Sequence, residues 1–547
     1  SSRAPEAEQQ GFGAPWTFLS PSAGRFFIGV GLSSDMDGTP LVMVHGLFGY
    51  GERSLPLYGM CPDYFPLRRL RSTWRRGLVV AVDVGAASSD HDRACEAFAQ
   101  LMGLQTDYGE EHSQRCLHPR HGPDFREKAL LRRWNAAHPV HFIGHSFGGN
   151  TVVALMGLLA DDYWGLGTGA DWVLSITCIC SPLRGCSLVF AMTGANSVCD
   201  GKFVIQRWSS SHLLTMVLGL LLRLQVRWPI PFKGLYDLRC DQWGTNPITC
   251  RQLWEADHPY WNSGDNVAVT ALPEHNHREV RGRLQDLSRT RLIAVVSDGL
   301  EPLSLAESLR GALLHIAVFC SAALALWRIR RMWARACSTR ARQLLRGLLL
   351  PVAVMALLAA TRGEAKHPPK ESEVTVWQQL AERQWTLLHD WLSRPLLRLL
   401  SHTLMHTSSA FSDSSGRLAT RCGFARGTND GVIDCASQLW LDAPGQRALG
   451  SSAKWRSGMQ RCTRSTPTSP RDSRAPSLGH SFSDVDFSGP GLHPEDGPAT
   501  CPLPEPGKWH VLHVPDADHA LGTTFSSHSP GMFETVLELL EKLSRHR

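Results

Sequence analysis

Val140-His141-Phe142-Ile143-Gly144-His145-Ser146-Phe147-Gly148-Gly149 runs from a short apolar strand pattern into Gly-His-Ser-Phe-Gly, and Thr151 to Leu159 continues as an apolar helix. Strand, sharp turn and helix in that order form a nucleophile elbow, in which small residues beside the serine let the backbone take a strained turn. A bare Gly-x-Ser-x-Gly is weak evidence. The β-branched and aromatic residues before it and the apolar helix after it make it specific, because together they place Ser146 above a sheet edge.

Further buried-strand patterns lie at Leu41 to Gly46, Leu78 to Asp83, Trp172 to Ile179, Arg291 to Ser297 and His510 to Val514. Continuous apolar strands separated by helix-length segments predict an α/β chain, with a mostly parallel central sheet and helices on both faces. Phe533, Val536, Leu537, Leu540 and Leu543 fall at helical spacing and predict a packing helix for the last layer.

Three segments interrupt this core. His212 to Leu224 is more apolar than a surface helix needs and reads as a lid or as a buried core helix. Residues 300–424 carry apolar runs at 311–327 and 347–360 around the basic linker Arg328 to Arg335. They read as a membrane-contacting helical hairpin, a two-span insertion or a packed helical insert. Residues 446–506, rich in Ser, Pro, Arg, Gly and Asp, predict a disordered insertion. The organisation expected is thus an extension at 1–38, an α/β core at 39–299, the helical insertion at 300–424, a core segment at 425–445, the disordered insertion at 446–506 and a closing core segment at 507–547.

The net charge of +6 comes from scattered arginine clusters, which does not indicate nucleic-acid binding. The 15 cysteines follow neither a disulfide framework nor zinc-finger spacing. The chain begins Ser1-Ser2-Arg3 without methionine, as a processed form or a fragment would, so the compartment is unread.

A serine nucleophile needs a base, and the base needs a carboxylate, following in the order Ser, Asp or Glu, His in this fold. Asp518-His519 lies in a polar loop directly after the His510 strand, and Asn429-Asp430-Gly431 is a glycine-flanked loop presenting a carboxylate. Ser146, Asp430 and His519 are therefore the candidate triad, with Asp298 the rival for the orienting role. The backbone N–H groups of Leu47, after His45-Gly46, and of Phe147, after Ser146, are the candidate oxyanion donors.

The chain resembles the zinc-containing α/β-hydrolase lipases of Bacillus-type organisms and staphylococci. The resemblance rests on Pro40 to Gly51, Ser88 to Leu101 with its Asp-Arg-Ala-Cys-Glu-Ala block, Asp107-Tyr108-Gly109, the elbow, Tyr236 to Gly244 with Asp-Gln-Trp-Gly, Asn429-Asp430-Gly431 and Asp518-His519. It covers about half of the chain, with the long insertions lying outside it. It implies hydrolysis of triacylglycerols by that triad, through an acyl-enzyme at a lipid-droplet or membrane surface. It also implies a structural zinc, in a subdomain beside the lid, held by Asp92, His112, His118 and Asp241. The family's calcium carboxylates fall at Leu521 and near Ser526 here, so no calcium is expected at that site. Acyl transfer by the same triad, and an inactive membrane-associated scaffold, are the competing readings.

Overall fold

The computed structural model describes residues 38–59, 61–183, 185–186, 198–199, 202–203, 210–243, 286–298, 384–387, 389, 397, 429–433, 435–438, 503–507, 509–514 and 517–545. Residues 1–37 of the expected extension at 1–38, almost all of the insertion at 300–424 and most of that at 446–506 lie outside these residues. No helix among the described residues is long and apolar enough to cross a membrane.

Strands β1 (Leu41–Val44), β2 (Val79–Val82), β5 (Val140–His145), β6 (Val173–Ile179), β9 (Arg291–Ser297) and β10 (Trp509–Val514) form one six-stranded sheet in the order β10-β9-β6-β5-β1-β2. All of its pairings are parallel. Each strand expected from the apolar runs is present, within a residue or two at its ends. Two short hairpins stand apart, β3 (Gln105–Asp107) with β4 (His121–Asp124) and β7 (Val198–Cys199) with β8 (Lys202–Phe203).

Alternation along the strands supplies both faces with apolar side chains. Val42 and Val44 of β1 join one cluster, which includes Phe98 and Leu101 of α3 (Asp90–Met102) and Val152 and Met156 of α5 (Phe147–Ala160). Leu41 and Met43 turn to the other face, against Leu67 and Leu70 of α2 (Leu67–Thr73) and Phe533, Val536 and Leu540 of α9 (Ser529–Arg545). Every strand of the six-stranded sheet is covered on both sides, which is why its sequence reads as an unbroken apolar run.

The remaining helices are α1 (Pro56–Gly59), α4 (Glu110–Cys116), α6 (Ser210–Arg227), α7 (Pro229–Leu235) and α8 (Cys435–Gln438). Helix α6 is buried along one side and exposed along the other. Leu218 and Leu222 are buried against Leu238, Cys240 and Trp243, whereas Val217, Leu220 and Val226 are exposed.

The sheet reverses its winding at β1, with β2 on one side and β5 on the other. Ligand crevices in parallel sheets open beyond the carboxyl ends of the strands at such a reversal. Ser146 directly follows β5 there.

Candidate active site

Ser146 has φ 53° and ψ −130°, a backbone conformation costly for an L residue. Its amide donates to Ile179 O at 2.8 Å, tying the turn to the end of β6. The flanking glycines are sterically required. A Cβ on Gly148 would lie 2.1 Å from Val44 O, and one on Gly144 would lie 2.5 Å from the Gly148 and Gly149 backbone. Gly46, in the turn after β1, approaches so closely that its Cβ would meet Ser146 Cβ at 2.7 Å.

His519 Nε2 lies 2.9 Å from Ser146 Oγ, and its Nδ1 lies 2.8 Å from Asp430 Oδ2. Asp430 is fully buried and its Oδ1 accepts from the amides of Val432 and Ile433 at 3.0 and 2.8 Å. The His519 amide donates to Asp430 O at 2.9 Å, so main chain and side chain fix the same pair. Residues 373 positions apart are thus brought into one hydrogen-bonded chain. Asp298, the rival carboxylate, lies 2.8 Å from His513 Nε2 instead.

Leu47 occupies the turn after β1 and Phe147 opens α5. The turn before Leu47 is held from behind by Arg93, whose guanidinium is wholly buried. Arg93 donates to His45 O, to Gly85 O at 2.6 Å and to Thr151 Oγ1 at 2.9 Å, and lies 5.6 Å over the Phe147 ring. It thereby links both elements that carry the candidate oxyanion donors. His45 Nε2 accepts from the Val84 amide at 3.2 Å, so its Nδ1 carries the hydrogen and donates to Gly46 O at 2.9 Å. Burial, with the charge of Arg93 beside it, lowers the pKa of this imidazole to about 3.

Two supporting side chains carry no sequence signal of their own. Gln438 of α8 places its Nε2 3.2 Å from Asp430 Oδ2 and accepts the Ser297 amide at 3.1 Å. His145, the variable position of the elbow, points its Nε2 at His519 O, 2.8 Å away, and its Nδ1 at Tyr64 Oη, 2.7 Å away. A carbonyl can only accept, so His145 is protonated at Nε2 and receives the Tyr64 hydroxyl at Nδ1. Burial lowers its pKa to about 3, with the neighbouring His519 acting in the same direction.

Of the four residues implied for zinc, three converge. Asp92 Oδ1 lies 2.9 Å from His112 Nε2 and 3.6 Å from His118 Nε2, all three residues being buried. Burial pushes the Asp92 carboxyl up, but the hydrogen bonds to His112 and His118 outweigh it and hold it well below the usual carboxylate range. The ligand atoms of His112, Cys116 and His118 lie within 4.8 Å of one another. The structure does not bring Asp241 to this group: its side chain is 51% exposed and its Oδ1 takes Lys233 Nζ at 2.6 Å. Its neighbour Gln242 donates to Asp92 Oδ2 at 3.0 Å. The buried carboxylate and two imidazoles fit a small divalent cation of mixed oxygen and nitrogen preference.

A parallel sheet with a strained serine at its winding reversal and a His–Asp pair delivered from later in the chain defines the α/β-hydrolase fold. Within that fold the sequence matches point one way. Residues 37–163 match the family model described as Lipase-like, C-terminal domain. A lipase of Staphylococcus hyicus is 45% identical over 116 residues, 21% of this chain and 18% of that protein. Lipase 2 of Staphylococcus aureus is 27% identical over 202 residues, 33% of this chain and 29% of that protein. The crystal structure of S. hyicus lipase aligns over 94% of this chain and 97% of that one, with 15% identity and a TM-score of 0.49. The core is thus similar in sequence to staphylococcal lipases, while the chain spans less than a third of the length of these curated relatives. The family-model region holds Leu47, Asp92, His112, His118, Ser146 and Phe147, and ends before Asp241, Asp430 and His519.

Proposed function

We propose that this chain is a serine-dependent lipase that cleaves carboxylester bonds of acylglycerols. The observation that carries the reading is the continuous hydrogen-bonded line from Ser146 Oγ through His519 to the buried Asp430, set at a strained elbow.

In this reading His519 Nε2 takes the Ser146 proton as Oγ attacks the ester carbonyl, and Asp430 holds the Nδ1–H and stabilises the imidazolium. The Leu47 and Phe147 amides meet the oxyanion, in positions fixed by Arg93 and His45 before substrate arrives. His519 then protonates the departing glycerol oxygen. Water, deprotonated by the same imidazole, hydrolyses the acyl-enzyme. The exposed apolar side chains of α6 are suited to contact a lipid surface, and the buried ones anchor that helix against Leu238, Cys240 and Trp243.

A structural zinc, where bound, would cross-link α3, α4 and the loop after α4 through Asp92, His112 and His118. These residues stand apart from the Ser146 line and contribute no proton transfer.

The test is hydrolysis of emulsified triglycerides by the wild-type chain and by Ser146→Ala, with product analysis in the presence of a competing alcohol. Free fatty acid should form with the wild type and be abolished in the variant. Turnover by the variant, or acyl transfer in place of hydrolysis, would overturn the assignment.

A further inference from the structure

We infer that Trp385, Thr386 and His389, from the long insertion at 300–424, brace the loop that carries His519 and so act as positioning residues for the proposed base. The inference rests on the role proposed for His519, but the docking itself is read without turnover.

The backbone from Ala517 to His528 follows β10 and forms neither helix nor strand. A segment of that kind opens at low free-energy cost unless other parts of the chain hold it. The core supplies one set of anchors. The His519 amide donates to Asp430 O at 2.9 Å, His145 Nε2 donates to His519 O at 2.8 Å, and the Thr524 amide donates to Tyr64 O at 2.9 Å.

The insertion supplies a second set. Residues 384–387 are helical, and His389 follows Thr386 by three positions and Trp385 by four, the spacing of one helical face. All three side chains meet the loop. His389 Nε2 lies 3.9 Å from Asp518 Oδ2, with the two side chains 11% and 6% exposed. Thr386 Oγ1 donates to Thr524 O at 3.4 Å, across 138 positions of sequence. The Trp385 ring stands edge-on to Phe525, with centroids 6.4 Å apart and planes at 70°. A buried carboxylate is costly unless polar groups face it. At Asp518 the His389 imidazole faces Oδ2, while the Ala520 amide donates to Oδ1 at 3.0 Å.

These contacts reach His519 by two routes. Asp518 directly precedes it in the chain. Thr524 takes the insertion's hydrogen bond at its carbonyl and gives its amide to Tyr64 O; the Tyr64 hydroxyl donates to His145 Nδ1, and His145 Nε2 donates to the His519 carbonyl. Such a line carries coupling only if breaking one end is felt at the other. A loosened loop lets the imidazole drift from Ser146 Oγ, which weakens the chemical step more than binding.

The test uses the purified full-length chain with Trp385→Ala, His389→Ala, the two combined, and the conservative Trp385→Phe. Hydrogen exchange of the 517–528 amides should quicken about tenfold in the combined variant, with residues 140–160 unchanged. On a soluble ester kcat should fall about tenfold with KM unchanged, and Trp385→Phe should keep most of the wild-type kcat. A cycle of His389→Ala with Asp518→Asn, which keeps an Oδ1 acceptor for Ala520, should be non-additive by about twofold or more in the same exchange rates. Unchanged exchange at 517–528 in the combined variant overturns the docking, and so does exchange quickened equally at 140–160, because the segment would then support the whole fold. Faster exchange confined to the loop with kcat unchanged overturns the positioning role. A wild-type chain without turnover fails the Ser146 reading, and the exchange data then still decide the docking.

Discussion

Gln438 Nε2 sits 3.2 Å from Asp430 Oδ2, the same carboxylate oxygen that faces His519 Nδ1. The amide keeps this oxygen from rotating away from the imidazole. A hydrogen bond to a charged acceptor contributes roughly 1.5–3 kcal/mol, and part of that is felt only when His519 is positively charged. Gln438→Leu should therefore lower kcat on a soluble ester about tenfold, with KM little changed. Steady-state kinetics beside a melting curve will separate this from simple unfolding; an unchanged kcat in a folded variant would remove Gln438 from the positioning set.

The Tyr64 to His145 to His519 carbonyl line acts on the main chain of the proposed base instead of its ring. Tyr64→Phe leaves the buried Nδ1 of His145 without its donor, which costs about 1–3 kcal/mol. The variant should be less stable by that order and slower in kcat. Because His145 is neutral, the acid limb of kcat/KM should stay where it is in the wild type. A displaced limb would mean that His145 titrates during turnover.

The backbone at Ser146 stores strain that only the elbow geometry requires. Conformations of this kind cost on the order of 1–3 kcal/mol for a non-glycine residue, while glycine adds about 0.5–1 kcal/mol of chain entropy. Ser146→Gly should abolish hydrolysis yet raise the unfolding free energy by about 1 kcal/mol, read by chemical denaturation. A destabilised Ser146→Gly protein would indicate that the serine side chain contributes packing that outweighs the strain.

Helix α6 presents Val217 and Leu220 to solvent while Leu218 and Leu222 are buried. Replacing both exposed residues by Asp should leave the fold and soluble-ester hydrolysis intact, and reduce turnover on emulsified long-chain glycerides. Equal loss on both substrate forms would place the helix in the catalytic core and not at the lipid surface.

What was legible in the sequence was what local pattern encodes. A strand covered on both faces is apolar throughout, so all six sheet strands stood out. The elbow was legible because backbone sterics allow only small residues at Gly144 and Gly148. His519 and Asp430 followed from the chain order of the fold and from polar loops beside predicted strands. Gln438, Tyr64 and the buried Arg93 were not legible in these roles, because nothing in their neighbours marks them. Their roles arise from contacts across 8 positions for Gln438 to Asp430, 81 for Tyr64 to His145 and 48 for Arg93 to His45. The zinc set was legible only through family resemblance, which carries residue types but not local rearrangement, and the structure places Asp241 on Lys233.

Three imidazoles make the fold sensitive to acid. His45, His141 and His145 are buried, and burial is the main cause lowering each pKa to about 3. The unfolded chain takes up these protons near pH 6.5 and the folded chain does not. Their stabilisation is therefore complete above about pH 6.5 and is lost as pH falls toward 3. Glu96 works in the opposite sense, because burial and the nearby Asp92 raise its pKa to about 8. Its stabilisation is present below the unfolded value near 4.5 and is lost as pH rises through 8. Between pH 5 and 6 three protons oppose one, a net of two at about 1.4 kcal/mol each, so stability should fall by at most about 3 kcal/mol per pH unit of acidification. His141, which faces Ser175 Oγ at 2.6 Å and Ser544 Oγ at 2.9 Å and lies outside the proposed site, isolates the effect. His141→Gln should lower stability at pH 7.5 and flatten its slope against pH by about one proton. Urea denaturation at half-unit steps from pH 5 to 8 gives that slope directly, and one unchanged by the substitution would mean that His141 is protonated in the folded state.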